Sequence, residues 1–90
     1  MPKVPRRPEG MTRAYFGQNV MCWGSGDADA DARISALRVQ ELREAGITAD
    51  VAEEWRLFYL AVIEVAPENP SARGRARLME HARTLLQEVH

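Results

Sequence analysis

The chain has 90 residues, of which 46% are hydrophobic, and a net charge of −1 at neutral pH. This length allows one domain with a small core, and the near-zero charge gives no overall attraction to nucleic acid or to an anionic membrane. The single cysteine excludes a disulfide within the chain. The longest apolar run is much shorter than a membrane span, and the basic start lacks the apolar stretch of a secretion signal. We therefore predict a cytoplasmic protein.

The first part of the chain has two differently composed segments. Residues 1–10 hold a proline at every third position with basic residues between them, which is typical of an extended, solvated segment. We predict a flexible arm there and a single helical domain over 11–90. Residues 11–26 are too apolar for a linker, and both a short hairpin and an irregular strap fit them. We favour an irregular strap whose aromatic side chains cover one end of the domain.

The rest of the chain carries three helical patterns. Apolar spacing predicts helices at about 29–45, 48–66 and 71–89. Gly46 after the first and Thr48 before the second are typical helix-end residues. Two prolines separate the second helix from the third, and such short connections favour antiparallel neighbours. We predict an all-α three-helix bundle with the second helix at its centre, because that helix is apolar on nearly all sides.

Five residues form the predicted partner-binding surface. Trp23 lies in a glycine-rich stretch, where it is either an exposed aromatic anchor or a plug on the bundle. Leu57 and Leu60 lie on a side of the second helix that two neighbouring helices need not cover. Arg73 and Arg77 share a face at the start of the third helix, where positive charge opposes the helix dipole. They either pair with carboxylates of another helix or bind an acidic partner or a phosphate.

Nucleic-acid binding is a weaker fit to the second helix. The turn before it resembles a helix-turn-helix, but its first turns carry Asp50, Glu53 and Glu54, which would repel phosphate. We therefore expect no nucleic-acid partner at that helix. Binding through the basic arm and the third helix remains an alternative hypothesis.

A small cysteine-dependent enzyme is the other alternative. Cys22 and His81 could act as a thiolate and a base, but no sequence motif fixes their geometry, so we assign no catalytic residue. The chain has too few histidines and cysteines for a zinc site. Asp27, Asp29 and Asp31 resemble the start of a calcium loop, yet its central glycine and final glutamate are missing. We expect no metal, no cofactor and no small-molecule ligand.

Several short stretches together resemble one group of proteins. They are Phe16-Gly17, Trp23 to Gly26, Ala32 to Ile34, Ala45 to Thr48, Trp55-Arg56, Phe58-Tyr59, Asn69 to Ala72, Arg75-Ala76 and Leu78-Met79. Over about residues 14–88 the chain is similar to small uncharacterised proteobacterial domains of unknown function. The resemblance implies a helical bacterial domain and supplies no catalytic residue. Our leading hypothesis is a non-enzymatic interaction or accessory module of a bacterial protein, which binds a protein partner or associates with itself.

Overall fold

The computed structural model of the protein describes residues 3–88, and that part of the chain contains helices and no strands. The α-helices are α1 (Arg13–Tyr15), α2 (Asp27–Ala36), α3 (Val39–Glu44), α4 (Ala49–Val65) and α5 (Ala72–Glu88), and a π-helical segment (Phe16–Met21) continues α1. The predicted all-α class is confirmed. The predicted three-helix bundle is not, because the described residues form five α-helices. Val89, the predicted end of the last helix, and residues 1–2 of the predicted arm lie outside the described part.

The segment predicted as an irregular strap is largely helical. The Thr12 hydroxyl accepts a hydrogen bond from the Tyr15 backbone N–H at 3.1 Å and so starts α1. The π-helical turns that follow leave backbone carbonyls at their end without helical partners. The Arg33 guanidinium donates to two of these, the carbonyls of Met21 at 2.7 Å and Val20 at 3.1 Å. A side chain from α2 therefore holds the end of the π-helical segment.

The helix predicted at 29–45 is broken in two. Leu37 and Arg38 have extended backbone, and α3 starts afresh after them. On one straight helix, Leu37 and Leu42 would point about 140° apart. The break lets both side chains enter the core, where they are 8% and 1% exposed. The Glu41 carboxylate accepts from the Arg38 backbone N–H at 3.0 Å, which stabilises the new helix start.

The signals between the first and second predicted helices are confirmed. Gly46 adopts a left-handed conformation with φ of 83°, and the Thr48 hydroxyl accepts from the Val51 backbone N–H at 3.2 Å. Helix α4 therefore has nearly the predicted bounds. It runs antiparallel to α5, because Glu53 near its start pairs with Arg83 near the end of α5.

Helix α5, rather than α4, is the element against which the other helices pack. It contacts α2, α3 and α4. Small residues on α5 allow this close approach: Ala72, Gly74, Ala76 and Ala82 are all buried. A Cβ added to Gly74 would lie only 2.7 Å from the Cβ of Ala30 on α2. Because α4 is not central, one of its apolar sides remains uncovered.

A cluster of aromatic side chains forms the centre of the core. Its members are Phe16, Trp23, Trp55, Phe58 and Tyr59. The Trp55 ring is fully buried, and its indole N–H donates to the Arg6 carbonyl at 2.8 Å. The Arg6 guanidinium also pairs with Glu54 on α4. The described residues of the N-terminal arm thus contact α4, and the flexibility of that arm stays a prediction.

The contact between α2 and α5 can be tested with a double-mutant cycle. We expect Gly74→Ala to lower the free energy of unfolding by about 1–3 kcal/mol, because its Cβ overlaps that of Ala30. Ala30→Gly alone costs about 1 kcal/mol in helix propensity. The double variant has no overlap between the two Cβ atoms. The effect of the two substitutions together on the free energy of unfolding, measured by urea denaturation, should therefore differ from the sum of their separate effects by about 1 kcal/mol or more. Ala28→Gly, at an exposed position of α2, should show no coupling with Gly74→Ala. Additive effects for the Ala30 pair would contradict the contact.

The ion pairs of Glu53 give the fold a predicted pH dependence. The Arg56 guanidinium donates two hydrogen bonds to the Glu53 carboxylate, at 2.6 and 2.8 Å, and these lower the pKa of Glu53 below its ordinary value of 4.5. Burial acts in the opposite direction and raises this pKa, and the nearby Arg83 lowers it further. Because the pKa is lower in the folded state, this stabilisation is present above the unfolded pKa and is lost as pH falls through the folded pKa.

We therefore expect Glu53→Gln to lower the free energy of unfolding at pH 7 by about 0.5–1 kcal/mol. The difference from the unmodified chain should shrink in urea titrations below about pH 4. Glu64→Gln, at an exposed position of the same helix, is the matched control and should have a smaller effect at pH 7. A Glu53→Gln effect of equal size at pH 7 and pH 3 would rule out the ion pairs as its cause.

Candidate functional site

A cleft of about 870 Å³ opens where the N-terminal helical segment meets α4 and α5. It is lined by Arg13, Ala14, Gly17, Gln18, Cys22, Trp23, Gly24, Ser25, Tyr59 and Arg75. These residues come from three separate parts of the chain, and none of them is an aspartate or a glutamate. The cleft therefore carries two guanidinium groups and no carboxylate in its wall.

Arg75 is the most constrained side chain of the cleft. One terminal nitrogen, Nη2, donates to the Gly24 carbonyl at 2.7 Å, and the other, Nη1, donates to the Tyr59 hydroxyl at 3.3 Å. The guanidinium carbon lies 4.9 Å from the Trp23 ring centroid, which is cation–π geometry. Its Nε is buried without a hydrogen-bond partner in the described structure. These contacts fix the guanidinium in position before any ligand arrives.

Arg13 supplies the second cation of the cleft. It is exposed, and its guanidinium carbon lies 5.4 Å from the centroid of the Phe58 ring. Neither Arg13 nor Arg75 takes part in an ion pair among residues 3–88. The cations that do are Arg6, Arg33, Arg56, Arg77 and Arg83.

Cys22 lies at the turn that leads from the π-helical segment to Trp23. Its φ of 53° is in the left-handed region, which is uncommon for a residue other than glycine. The tight path depends on Gly17, because a Cβ there would lie 2.6 Å from the Trp23 indole nitrogen. The thiol is exposed and lines the cleft. His81 is not among the lining residues, so the cleft does not bring together the predicted thiolate and base.

The predicted anchor Trp23 is buried. It is 5% exposed and packs edge-on against Tyr59, with ring centroids 5.3 Å apart. The alternative interpretation, a plug on the bundle, matches this placement, and the exposed-anchor interpretation does not. Trp23 instead contributes one wall of the cleft, beneath Arg75.

The other four predicted partner-binding residues lie at the surface. Leu57 and Leu60 are 50% and 41% exposed on α4. Arg77 forms an ion pair with Asp31 of α2 at 2.9 Å. This matches the predicted alternative in which it pairs with a carboxylate of another helix. Arg73 donates to the Pro67 carbonyl at 3.3 Å and forms no ion pair in the described part of the chain. Leu60, Arg73 and Arg77 line one shallow pocket, so the structure brings these three together.

The sequence predicted neither of the two arginines of the cleft, Arg13 and Arg75, as a binding residue. One signal could have indicated Arg75. Gly74 and Ala76, its neighbours, are the small residues through which α5 approaches other helices. An arginine between two such positions emerges at a helix–helix junction rather than on an open face.

None of the helices in residues 3–88 is long and apolar enough to cross a membrane. No three histidine, cysteine, aspartate or glutamate side chains gather in that part of the chain as a metal site would require.

Comparisons with other proteins agree with the resemblance noted in the sequence. An NMR structure of a protein from Acinetobacter baumannii is similar to this fold, with a TM-score of 0.77 and 27% sequence identity. The match covers 94% of this chain and 82% of that one. Among proteins of curated function, none matches the chain. A family model described as a domain of unknown function, DUF4951, matches residues 1–86. The chain therefore belongs to the DUF4951 family of domains of unknown function.

Proposed function

We propose that the protein is a non-enzymatic interaction module and that its partner binds on the uncovered side of α4. One observation carries this proposal. Of the four large apolar side chains that are exposed within residues 3–88, three belong to α4: Leu57, Leu60 and Val65. Leucine and valine side chains that stay exposed on one helix of a small domain are typical of a binding surface.

The three side chains lie on the same side of α4, together with the exposed Glu64. At 3.6 residues per turn they fall within an arc of about 140° and extend over about 12 Å of helix. Leu57 borders a recess of about 400 Å³ together with Val4, Pro5 and Phe58. Leu60 borders a second recess of about 290 Å³ beside α5. Two recesses flanking an apolar stripe can each receive a side chain of the partner.

The recess at Leu60 is lined by three arginines and two carboxylates, so one positive charge is in excess there. Arg56 and Arg77, which line the recess at Leu60, are already paired with Glu53 and Asp31. Arg73 lines the same recess without an ion pair among the described residues. The partner that fits is an amphipathic helix with apolar residues at three- or four-residue spacing and a carboxylate placed for Arg73.

The arrangement of α5 supports a protein partner over a nucleic acid. Of its four arginines, Arg77 and Arg83 are paired with Asp31 and Glu53. Half of the positive charge of that helix is therefore already balanced within the chain and would not replace the counterions of a phosphate backbone. The proposal places the module in the bacterial cytoplasm, where a reducing environment would keep the exposed Cys22 as a thiol.

The proposal predicts that the double variant Leu57→Ser/Leu60→Ser loses its partner. Each leucine is about half exposed, so the substitutions should change stability by less than about 1 kcal/mol. The loss of two apolar contacts at the centre of an interface should weaken binding by tenfold or more. Tagged chains would be used to isolate partners from the native host, and sedimentation velocity would report self-association.

Tyr15→Ser is the matched control, because Tyr15 is 52% exposed but lies on α1 and lines neither recess. Support requires a protein, or a second copy of the chain, that binds the unmodified chain and the Tyr15 variant but not the leucine variant. Equal binding by all three chains would contradict the assignment of the α4 face. A monomer that recovers no specific protein would contradict the interaction module itself.

A further inference from the structure

We propose that the cleft between the π-helical segment, α4 and α5 binds a small organic anion through Arg13 and Arg75. The anionic group is a carboxylate or a phosphate, which share the charge and the planar or tripodal oxygens that a guanidinium recognises. This site is separate from the α4 face and goes beyond the interaction module proposed above.

The first argument is the unbalanced charge of the cleft. The chain has 13 aspartate and glutamate residues, yet none lines the cleft and none pairs with Arg13 or Arg75 among the described residues. Two cations at one cleft with no carboxylate among its lining residues reinforce each other's attraction for an anion. A partly buried guanidinium without a counterion is costly unless a ligand supplies one.

The second argument is the preorganisation of Arg75. Its contacts with Gly24, Tyr59 and Trp23 hold the guanidinium plane in place. Each terminal nitrogen carries two N–H donors, and one donor on each remains for a ligand after the bonds to Tyr59 and Gly24. Because the side chain is already ordered, binding an oxyanion does not carry the entropy cost of immobilising it.

The third argument is the size and lining of the cleft. Its volume of about 870 Å³ lies within the range of small-molecule sites. Gln18 and Ser25 provide further hydrogen-bonding groups on its wall, beside aromatic surface from Trp23 and Tyr59. Polar groups converging beside aromatic surface suit a compact ligand with an anionic end and a flat apolar part.

Cys22 makes the proposal directly measurable. It is the one cysteine of the chain, it is exposed and it lines the cleft. A ligand in the cleft should therefore shield it. We would measure the rate of Cys22 modification by the uncharged disulfide 4,4′-dithiodipyridine with increasing benzoate, phenyl phosphate or inorganic phosphate. Sodium chloride at matched ionic strength is the reference. Heteronuclear NMR titrations would follow the backbone amides of Gly17, Gly24 and Ser25 in parallel.

We expect saturable protection of the thiol by at least threefold, with saturable shifts of the same amides. For ligands of about ten non-hydrogen atoms, half-saturation should fall near millimolar concentration. Effects of benzoate alone would assign a carboxylate, and effects of the phosphates alone would assign a phosphate. Absence of any saturable effect beyond that of chloride would overturn the proposal.

Variants of Arg13 and Arg75 test whether the anion binds to these two arginines. Arg13→Gln removes an exposed cation and should weaken binding at least threefold without altering the fold. Arg75→Lys keeps the charge but loses the fork of donors, and it should weaken binding about tenfold. Arg43→Gln, at an exposed position of α3 outside the cleft, is the control and should bind normally. Anion binding that survives Arg13→Gln and Arg75→Lys unchanged would also overturn the proposal. The Leu57→Ser/Leu60→Ser variant should bind the anions normally, which separates this test from that of the interaction face.

Discussion

The burial of the Trp55 indole in α4 determines much of the path of the N-terminal third of the chain. The ring stacks on Phe16 at 5.1 Å between centroids and contacts Trp23 at 5.5 Å. A buried indole N–H needs an acceptor, and the Arg6 carbonyl provides it. The segment before α1 must therefore pass over α4, and the segment after it must return two aromatic rings to the same place. One side chain thus ties three parts of the chain to α4.

The cleft results from the path that the backbone follows to bring these aromatic rings into contact. To bring both Phe16 and Trp23 to Trp55, the chain widens into a π-helical segment and then turns sharply at Cys22. The turn is tight enough that Gly17 touches the Trp23 indole, and it leaves an opening above that ring. Arg75 from α5 lies over the same ring. The core and the cleft therefore share Trp23, so a substitution there would alter the packing of the core and the wall of the cleft together.

Local signals in the sequence predicted those parts of the fold that depend on neighbouring residues. The start of α4 after Thr48 and the turn at Gly46 follow from short-range hydrogen bonds and from glycine's left-handed conformation. The break before α3 could not be predicted in this way. It depends on burying Leu37 and Leu42 together and is braced by Arg33, which pairs with Glu41 and also reaches back to Met21. The exposure of Leu57 and Leu60 could be predicted, because it follows from the apolar circumference of one helix. The cleft could not be predicted, because it combines residues from distant parts of the chain.

The apolar circumference of α4 is explained by the different surroundings of its sides. Trp55 and Tyr59 face the core, and Tyr59 also reaches the wall of the cleft. About 160° around the helix from Tyr59, Leu57 faces solvent. Within residues 3–88 no second layer of helices covers that side, because α5 is the helix on which α2, α3 and α4 converge. The fold does not require these exposed leucines, and they lower the solubility of the chain. A partner that buries them would remove this disadvantage.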